Sequence, residues 1–450
     1  MSKDSQQEIE KQRQEVFQGD FRVNLHEACT IGNGIVRIES EEEEVYLNAF
    51  NELNNFPSFF IPASGSGSRM FQFLYEWLDT KVETEMVSSF FSKWDDLALA
   101  KTGEFYSTDK ESLVRQLLCE FSEKPKGLIP FHSNDLEIRT AFQEHVLQAQ
   151  HVSGDRAAVH FTVQEESAKA IDDNIKELGS RAEGIQISYS HQKSETNAYC
   201  FDENEQLVKR DDIPLRRPAG HGALLNNLND LKSETILIKN IDNIQHESKA
   251  EESEKIWQLA VGLMLEMKRE LKNLVDNFTI ENLNNFNSKY QIFSEDEMSQ
   301  VDDSNIAAFV NRPTRVCGMV KNEGEPGGGP FWIEDNGSVS KQIVEKAQIK
   351  TSIPEQLKIV QESSHFNPVF IAVSKSDLNG KMLDLMTYRD DSKFFVVNKT
   401  HHGSPIAYRE LPGLWNGSMS NWNTVFLEIP SDVFSPVKTV LDLVKSAHQQ

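Results

Sequence analysis

Cysteine is scarce in this sequence. Four cysteines, Cys29, Cys119, Cys200 and Cys317, are scattered over 450 residues with no CxxC pair among them. That spacing excludes a disulfide framework and a zinc pattern alike. Long apolar runs are also missing: no stretch reaches 18 apolar residues, so no membrane span is expected. Residues 1–20 are polar and charged where a signal peptide would carry an apolar core. These absences predict a soluble protein of a reducing cytoplasm. Positive charge is the third deficit, with 46 Lys and Arg against 70 Asp and Glu and a net charge of -24. A nucleic-acid backbone needs a basic face, so that class of partner is excluded. A small anionic substrate is not excluded, but its site must gather Lys and Arg locally. The sequence also lacks an internal repeat, a P-loop and a complete GxGxxG fingerprint.

What remains is the composition of a globular chain, 38% apolar and 9% aromatic, long enough for about three domain-sized units or one elaborated α/β domain. Residues 1 to about 20 read as a polar helix or frayed tail, and the acidic run in "ESEEEEVYLNAF" as a solvated helix face. "FPSFFIPA" predicts a short buried strand and residues 69–91 a helix. Residues 111–121 and "RTAFQEHVLQAQHV" are helical and "KGLIPF" is extended. The strands "RAAVHFTV", "GIQISYS" and "ETILIKNID" alternate with the helices "AKAIDDNIKELGS" and "GALLNNLNDL". This rhythm predicts an α/β sheet with crossover helices. Residues 245–310 interrupt it as a helical insertion. Strands resume at "TRVCGMV", "VFIAVS", "FFVVN" and "TVFLEI", and "VKTVLDLVKSAH" is expected to close the chain as a helix. The expected division is a helical extension over 1–55, an α/β domain over 56–380 containing the insertion, and an α/β extension over 381–450.

Six stretches carry chemistry. "FFIPASGSGSRMFQFL" joins a strand to a helix through a loop in which Gly65 and Gly67 permit positive φ. Arg69 adds charge at a helix start whose free N–H groups favour an anion. A polyphosphate suits this loop, though a plain strand-to-helix connection would read the same. In "EKPKGLIPF" a proline sets Lys124 and Lys126 in extended chain, a phosphate contact or an ordinary turn. "RRPAGHGALLNNL" places His221 between Gly220 and Gly222 at a helix start, where main chain can reach a flat ligand; a helix-capping or core histidine is the alternative. "ILIKNIDNIQ" ends a strand at Asp242, a hard oxygen ligand suited to Mg²⁺ and expected to face solvent; an Asx turn is the alternative. "VKNEGEPGGGPFW" carries three glycines between prolines, packed on a ligand or a tight turn, and is followed by Glu345 in "KQIVEKAQI" and by His365 and Asn367 in "SSHFNPVFIAV". "FSPVKTVLDLV" holds Lys438 behind Pro436.

In this order, "SGSGSRM", "KPKGLIPF", "HQK" with "RPAGHGALLNNL", "IKNIDNI", "QIVEKAQI", "HFNPVFIA" and "FSPVKTVLDLV" resemble the motifs of UDP-sugar pyrophosphorylases. From about residue 50 onward the chain also resembles an uncharacterised bacterial group, the domain-of-unknown-function family 4301, through "VCGMVKNEGEPGGGPFW", "SSHFNPV" and "ELPGLWNGSM". The first resemblance is confined to the motifs. It implies a GT-A-like nucleotidyltransferase fold, with crossover helices, and attack of a sugar 1-phosphate on a nucleoside triphosphate, in the presence of Mg²⁺, to give a nucleotide sugar and pyrophosphate. It further implies that Gly65, Gly67 and Arg69 hold the triphosphate beside Lys126, with Arg69 and Lys126 the catalytic cations. Gln192, Gly220, His221 and Gly222 would hold the base, uracil by preference. Asp242 would bind Mg²⁺, Glu345 and Asn367 the sugar, and Lys438 its phosphate. The sequence departs from those motifs at Pro62-Ala63-Ser64-Gly65, Ser68 and Met70-Phe71, and Gly327–Gly329 and "LPGLWNGSM" have no counterpart. A glycosyltransferase on the same fold is disfavoured by the single aspartate of "IDNI". A binding protein without catalysis is disfavoured by the presence of Arg69, Lys126 and Lys438.

Overall fold

A computed structural model describes residues 3–19, 22–105, 107, 109–324 and 327–450. Met1, Ser2 and Asp20 of the expected N-terminal tail, and Glu325 and Pro326 beside the glycine run, lie outside the described residues. The chain is a mixed α/β protein and divides into two compact units, each assembled from three separate stretches of sequence.

One unit comprises residues 46–191, 235–260 and 429–450. Its centre is a four-stranded, all-parallel sheet in the order Thr235–Ile238, Ser58–Pro62, Ala158–Thr162, Gln186–Ser190. Phe59, Phe60 and Ile61 are wholly buried. A parallel strand covered on both faces reads as an unbroken apolar run, which is why "FPSFFIPA" is legible as a strand. The outer strand Gln186–Ser190 is partly exposed along its length. Between Ser58–Pro62 and Ala158–Thr162 run the helices Gln72–Thr80, Glu85–Ser92, Lys110–Phe121 and Ala141–Ser153. The last begins at a capping box in which the Thr140 side chain accepts from the Gln143 N–H and Gln143 returns the bond. The helix Ala168–Lys176 makes the next crossover.

Two expectations in this unit are corrected. The helix expected over 69–91 is broken, because Lys81 takes a left-handed conformation (φ +57°) and Thr84 caps a second helix at Val87. The closing helix expected in "VKTVLDLVKSAH" is instead two 3₁₀ turns, Val440–Val444 and Ser446–His448. The Asp442 carboxylate accepts from the N–H groups of Lys438 and Thr439 at the start of the first turn, and Lys445 turns extended (ψ 155°), which ends it.

The other unit comprises residues 1–45, 192–234 and 261–428. A mixed sheet runs Thr30–Ile31, Gly34–Val36, Asn423–Glu428, Thr314–Lys321, Ile371–Ser374, with the last strand antiparallel to its neighbour. A three-stranded antiparallel sheet joins Asn24–Ala28, Gly328–Asp335 and Ser338–Glu345, and a four-stranded one joins Arg216–Arg217, Ala198–Phe201, Ser404–Glu410 and Phe395–His401. The expected N-terminal helix is Lys3–Gln18. Of the helical stretch expected over 245–310, this unit holds residues 261–276 of one helix, then Ile280–Tyr290, Glu295–Ser299 and Ile306–Val310. Among the described residues no helix is long and apolar enough to cross a membrane. Cys29, Cys200 and Cys317 are buried free thiols, and Cys119 is an exposed one.

Candidate functional site

In the first unit the neighbouring parallel strands Ser58–Pro62 and Thr235–Ile238 release their following loops on the same edge, since both run in one direction. The carboxyl ends of such strands are where α/β sheets offer ligand sites. One loop is Ala63–Ser68; the other is Lys239–Asn243. The glycine loop is strapped to the Pro125 segment: the Lys126 N–H donates to the Gly65 carbonyl at 2.9 Å, and the Gly67 N–H to that of Lys124 at 3.0 Å. Gln164 donates to the Ser64 carbonyl at 3.0 Å. The Lys126 side chain is thereby set beside the loop, on the short 3₁₀ turn Lys126–Leu128 rather than in the extended chain expected there.

Gly65 and Gly67 do not use the positive φ open to a glycine. Gly65 faces open space. Gly67 is buried with φ −77°, and a Cβ there would collide with Ile129 Cδ1. Arg69 is exposed on the turn Ser68–Phe71 that leads into the helix Gln72–Thr80.

Two lysines converge on one carboxylate, with the charge of Arg69 alongside. Lys126 Nζ donates to Asp242 Oδ2 at 2.8 Å and Lys438 Nζ to the same oxygen at 3.1 Å. Asp242 is therefore not the solvent-facing carboxylate expected: its side chain is 13% exposed, and Lys438, at 60%, is the open member of the trio. Burial pushes the Asp242 carboxyl up, but the ammoniums of Lys126 and then Lys438 outweigh it and hold it below the ordinary range. Burial pushes the Lys126 ammonium down, Asp242 opposes this, and Lys438 and Arg69 add repulsion. The two downward shifts differ in cause: the ammoniums lower Asp242 against its burial, whereas burial itself is the main reason Lys126 is lowered. Three cations against one carboxylate is a local surplus of positive charge in a chain of net charge -24. Such a surplus can hold a polyanion.

Asp242 also bears on a metal. Both lysine contacts fall on Oδ2, and Mg²⁺ is commonly held by one or two carboxylates with substrate phosphates completing its shell. One hard carboxylate beside a surplus of cations fits that mode. A site made by protein ligands alone is not found: among the described residues no three His, Cys, Asp or Glu side chains gather as a metal cluster.

The second unit holds the remaining sequence-derived residues. His221 Nδ1 accepts from the Leu414 N–H at 2.9 Å, and its ring stacks on Trp415 with centroids 4.1 Å apart and planes 8° apart. Its Nε2 lies 3.5 Å from Glu345 Oε1, which also accepts from Asn416 at 3.1 Å. Gly220 takes φ +72°, and a side chain there would strike the Glu410 carboxylate. Gly222 is buried, and a Cβ would fall onto the Pro412 carbonyl oxygen. The two glycines around His221 are thus accounted for by contact with "ELPGLW" of the same chain.

Gln192 bonds Thr196 and Asn197 at 3.4 Å each. Asn367 is buried, donating to the Gly318 carbonyl at 2.8 Å and accepting from the Val369 N–H at 3.0 Å, where Val369 sits at φ +61°. Its amide is engaged in holding backbone. Gly327, Gly328 and Gly329 are packed against Phe366, Ile343 and Phe331.

Sequence reasoning missed Glu410, Trp415 and Asn416. Glu410 is pushed up by burial, against the pull of Lys399 and His221. The stretch "ELPGLWNGSM", residues 410–419, was their only signal.

The model of the family described as Domain of unknown function (DUF4301) matches residues 1–449. No curated protein matches the chain. Solved structures similar to it include a UDP-glucose pyrophosphorylase variant from Leishmania major in complex with UDP-glucose, at 12% identity and TM-score 0.45, covering 97% of this chain and 74% of that one. A UDP-glucose phosphorylase from Trypanosoma brucei is similar at 14% identity and TM-score 0.40, with 84% and 78% covered. An inositol-1-phosphate CTP transferase from T. maritima is similar at 10% identity and TM-score 0.32, with 87% and 98% covered.

Proposed function

The chain belongs to the DUF4301 family, whose description assigns no activity, and we propose that this member is a nucleotidyltransferase joining a sugar 1-phosphate to a nucleoside triphosphate, UTP by preference, with release of pyrophosphate. The observation that carries this reading is the convergence of Lys126 and Lys438 on Asp242, with the charge of Arg69 alongside. The ordered motifs shared with UDP-sugar pyrophosphorylases support it, and the choice of UTP rests on "RPAGHGALLNNL" among them.

The chemistry asks little of acid–base groups. A phosphate oxygen of the sugar 1-phosphate forms a bond to the α-phosphorus, the α–β P–O bond breaks, and pyrophosphate leaves with the electron pair. No proton needs to move, because the nucleophile is already ionised. The obstacle is repulsion between two polyanions, so fixed cations and positioning supply the catalysis. In this reading Lys126 and Arg69 hold the triphosphate and Lys438 the sugar phosphate. Asp242 draws both ammoniums to one oxygen and so keeps them aimed at the same place. Mg²⁺, when bound, supplies further charge neutralisation at phosphate oxygens, and Asp242 is the residue that would hold it.

The test is pyrophosphate release from the full chain with a panel of sugar 1-phosphates against UTP, CTP, ATP and GTP, with Mg²⁺ and with EDTA. Release with one sugar phosphate and UTP, abolished by EDTA, is expected. A second reading, phosphate binding without turnover, draws on the packing of the GHG turn against Leu411–Trp415. It predicts calorimetric binding of pyrophosphate with no release from any pair in the panel.

A further inference from the structure

Lys438 belongs to a C-terminal stretch, residues 435–448, most of which the proposed chemistry leaves without a role. The stretch is docked along residues 242–246 by a series of bonds. The Ser435 N–H donates to Asn243 Oδ1 at 3.0 Å, the Val437 N–H to the Asp242 carbonyl at 2.9 Å, and the His246 N–H to the Ala447 carbonyl at 2.9 Å. Asp442 shapes the turn that follows, accepting from the Lys438 and Thr439 N–H groups at 2.8 and 2.7 Å and pairing with Lys445 at 2.6 Å. At the far end the buried His448 meets the buried His132, Nδ1 to Nε2, at 2.9 Å. His132 Nδ1 lies 2.8 Å from Glu144 Oε1, which also accepts from Arg139 Nε at 2.9 Å.

We infer that the His132–His448 pair is an acid-sensitive lock that holds Lys438 on Asp242, making His448 a positioning residue for the cation cluster. Only the functional consequence rests on the phosphate reading; the lock is a property of the segment itself.

The geometry sets the chemistry of release. One proton fits between the two facing ring nitrogens, and a second would set two N–H groups head to head. The groups facing His448 are His132, Glu144 and Arg139 behind it, His246, whose ring lies 5.4 Å from that of His132, and Asp442 and Lys445 on its own turn. A backbone hydrogen bond with Ser435 opposes the shift. Burial first, and His132 second, hold the docked His448 down to about 3. Once released into water it returns to its ordinary value near 6.5. The docked form is thus a base with a depressed pKa. It keeps its full advantage above about 6.5 and loses up to about tenfold per pH unit below that, down to about 3.

Hydrogen exchange by mass spectrometry, corrected for intrinsic rates, tests the lock on the full chain at pH 7 and pH 5. In the wild type the opening of residues 435–447 should rise by up to about 30-fold between those pH values. His448→Ala should be open at both. His448→Asn keeps an amide that can donate to or accept from His132 but cannot ionise, so it should stay docked at both. Inorganic pyrophosphate titrated calorimetrically at pH 7 is the companion readout: His448→Ala should weaken binding as Lys438→Ala does, and His448→Asn should not. Unchanged exchange in His448→Ala, or an undiminished acid response in His448→Asn, overturns the lock. If exchange behaves as expected while no variant, wild type included, binds pyrophosphate, the lock stands and the phosphate reading falls.

Discussion

At the scale of single residues, charge and space separate the roles. Lys126 is the most enclosed of the three cations, so its removal should cost the most. On the proposed reading, Lys126→Ala should lower kcat/KM by about 10²–10³-fold, the scale of losing one preorganised charge donor, with a smaller loss for the exposed Arg69. Steady-state pyrophosphate release measures both. Gly222 makes a prediction about stability instead. Because a Cβ would fall onto the Pro412 carbonyl oxygen, Gly222→Val should destabilise the fold by about 1–3 kcal/mol, read as a lower urea midpoint. Lys239 offers a pH test. Fully buried and bonded to Gln148, it is held down to about 7 by burial, with Glu254 opposing. Its folded value lies below its unfolded one, so the unfolded chain binds the extra proton between about 7 and 10.5, and stability rises with pH across that window. Lys239→Met should therefore gain most over the wild type below pH 7 and progressively less toward pH 10.5 in chemical denaturation. Little of this was legible beforehand. The reason for Gly222 sits about 190 residues away in Pro412, and local pattern carries no trace of such a partner. Asp242 was legible as a strand-end carboxylate, but its burial under two lysines was not, because Lys126 and Lys438 are remote from it in sequence.

At the scale of elements, strands buried on both faces were easiest to read, since Phe59-Phe60-Ile61 and Ile236-Leu237-Ile238 leave no polar face to confuse the period. Segments whose form depends on a side chain bonding its own backbone were hardest. The final stretch has helical apolar spacing at Val440, Leu443 and Val444 and a Thr439–Asp442 capping box at its start, yet Lys445 turns extended and it ends as 3₁₀ turns. The same class of interaction stabilises a helix elsewhere. The Thr140–Gln143 capping box starts Ala141–Ser153, and the Thr140 hydroxyl also donates to Asn174 at 2.7 Å. Thr140→Ala should cost about 1–2 kcal/mol, seen as an earlier thermal transition, whereas Thr140→Ser should keep most of the cap.

At the scale of the whole molecule, the net charge of -24 opposes compaction by self-repulsion. Because separated surface charges are screened beyond about 10 Å at 0.1 M salt, the melting temperature should rise when NaCl goes from about 10 to about 150 mM; a fall would mean that specific surface ion pairs dominate. One further consequence follows from the parallel sheet. The strand Thr235–Ile238 pairs directly with Ser58–Pro62, about 180 residues earlier in the chain. At a synthesis rate of about 5–20 residues per second, the earlier strand waits roughly 10–40 s for its neighbour. Throughout that interval one edge of Phe59-Phe60-Ile61 is uncovered on the nascent chain, a template for pairing with other chains. Slower initiation, which lowers the number of nascent chains exposing this edge at one time, should thus raise the soluble yield of this protein.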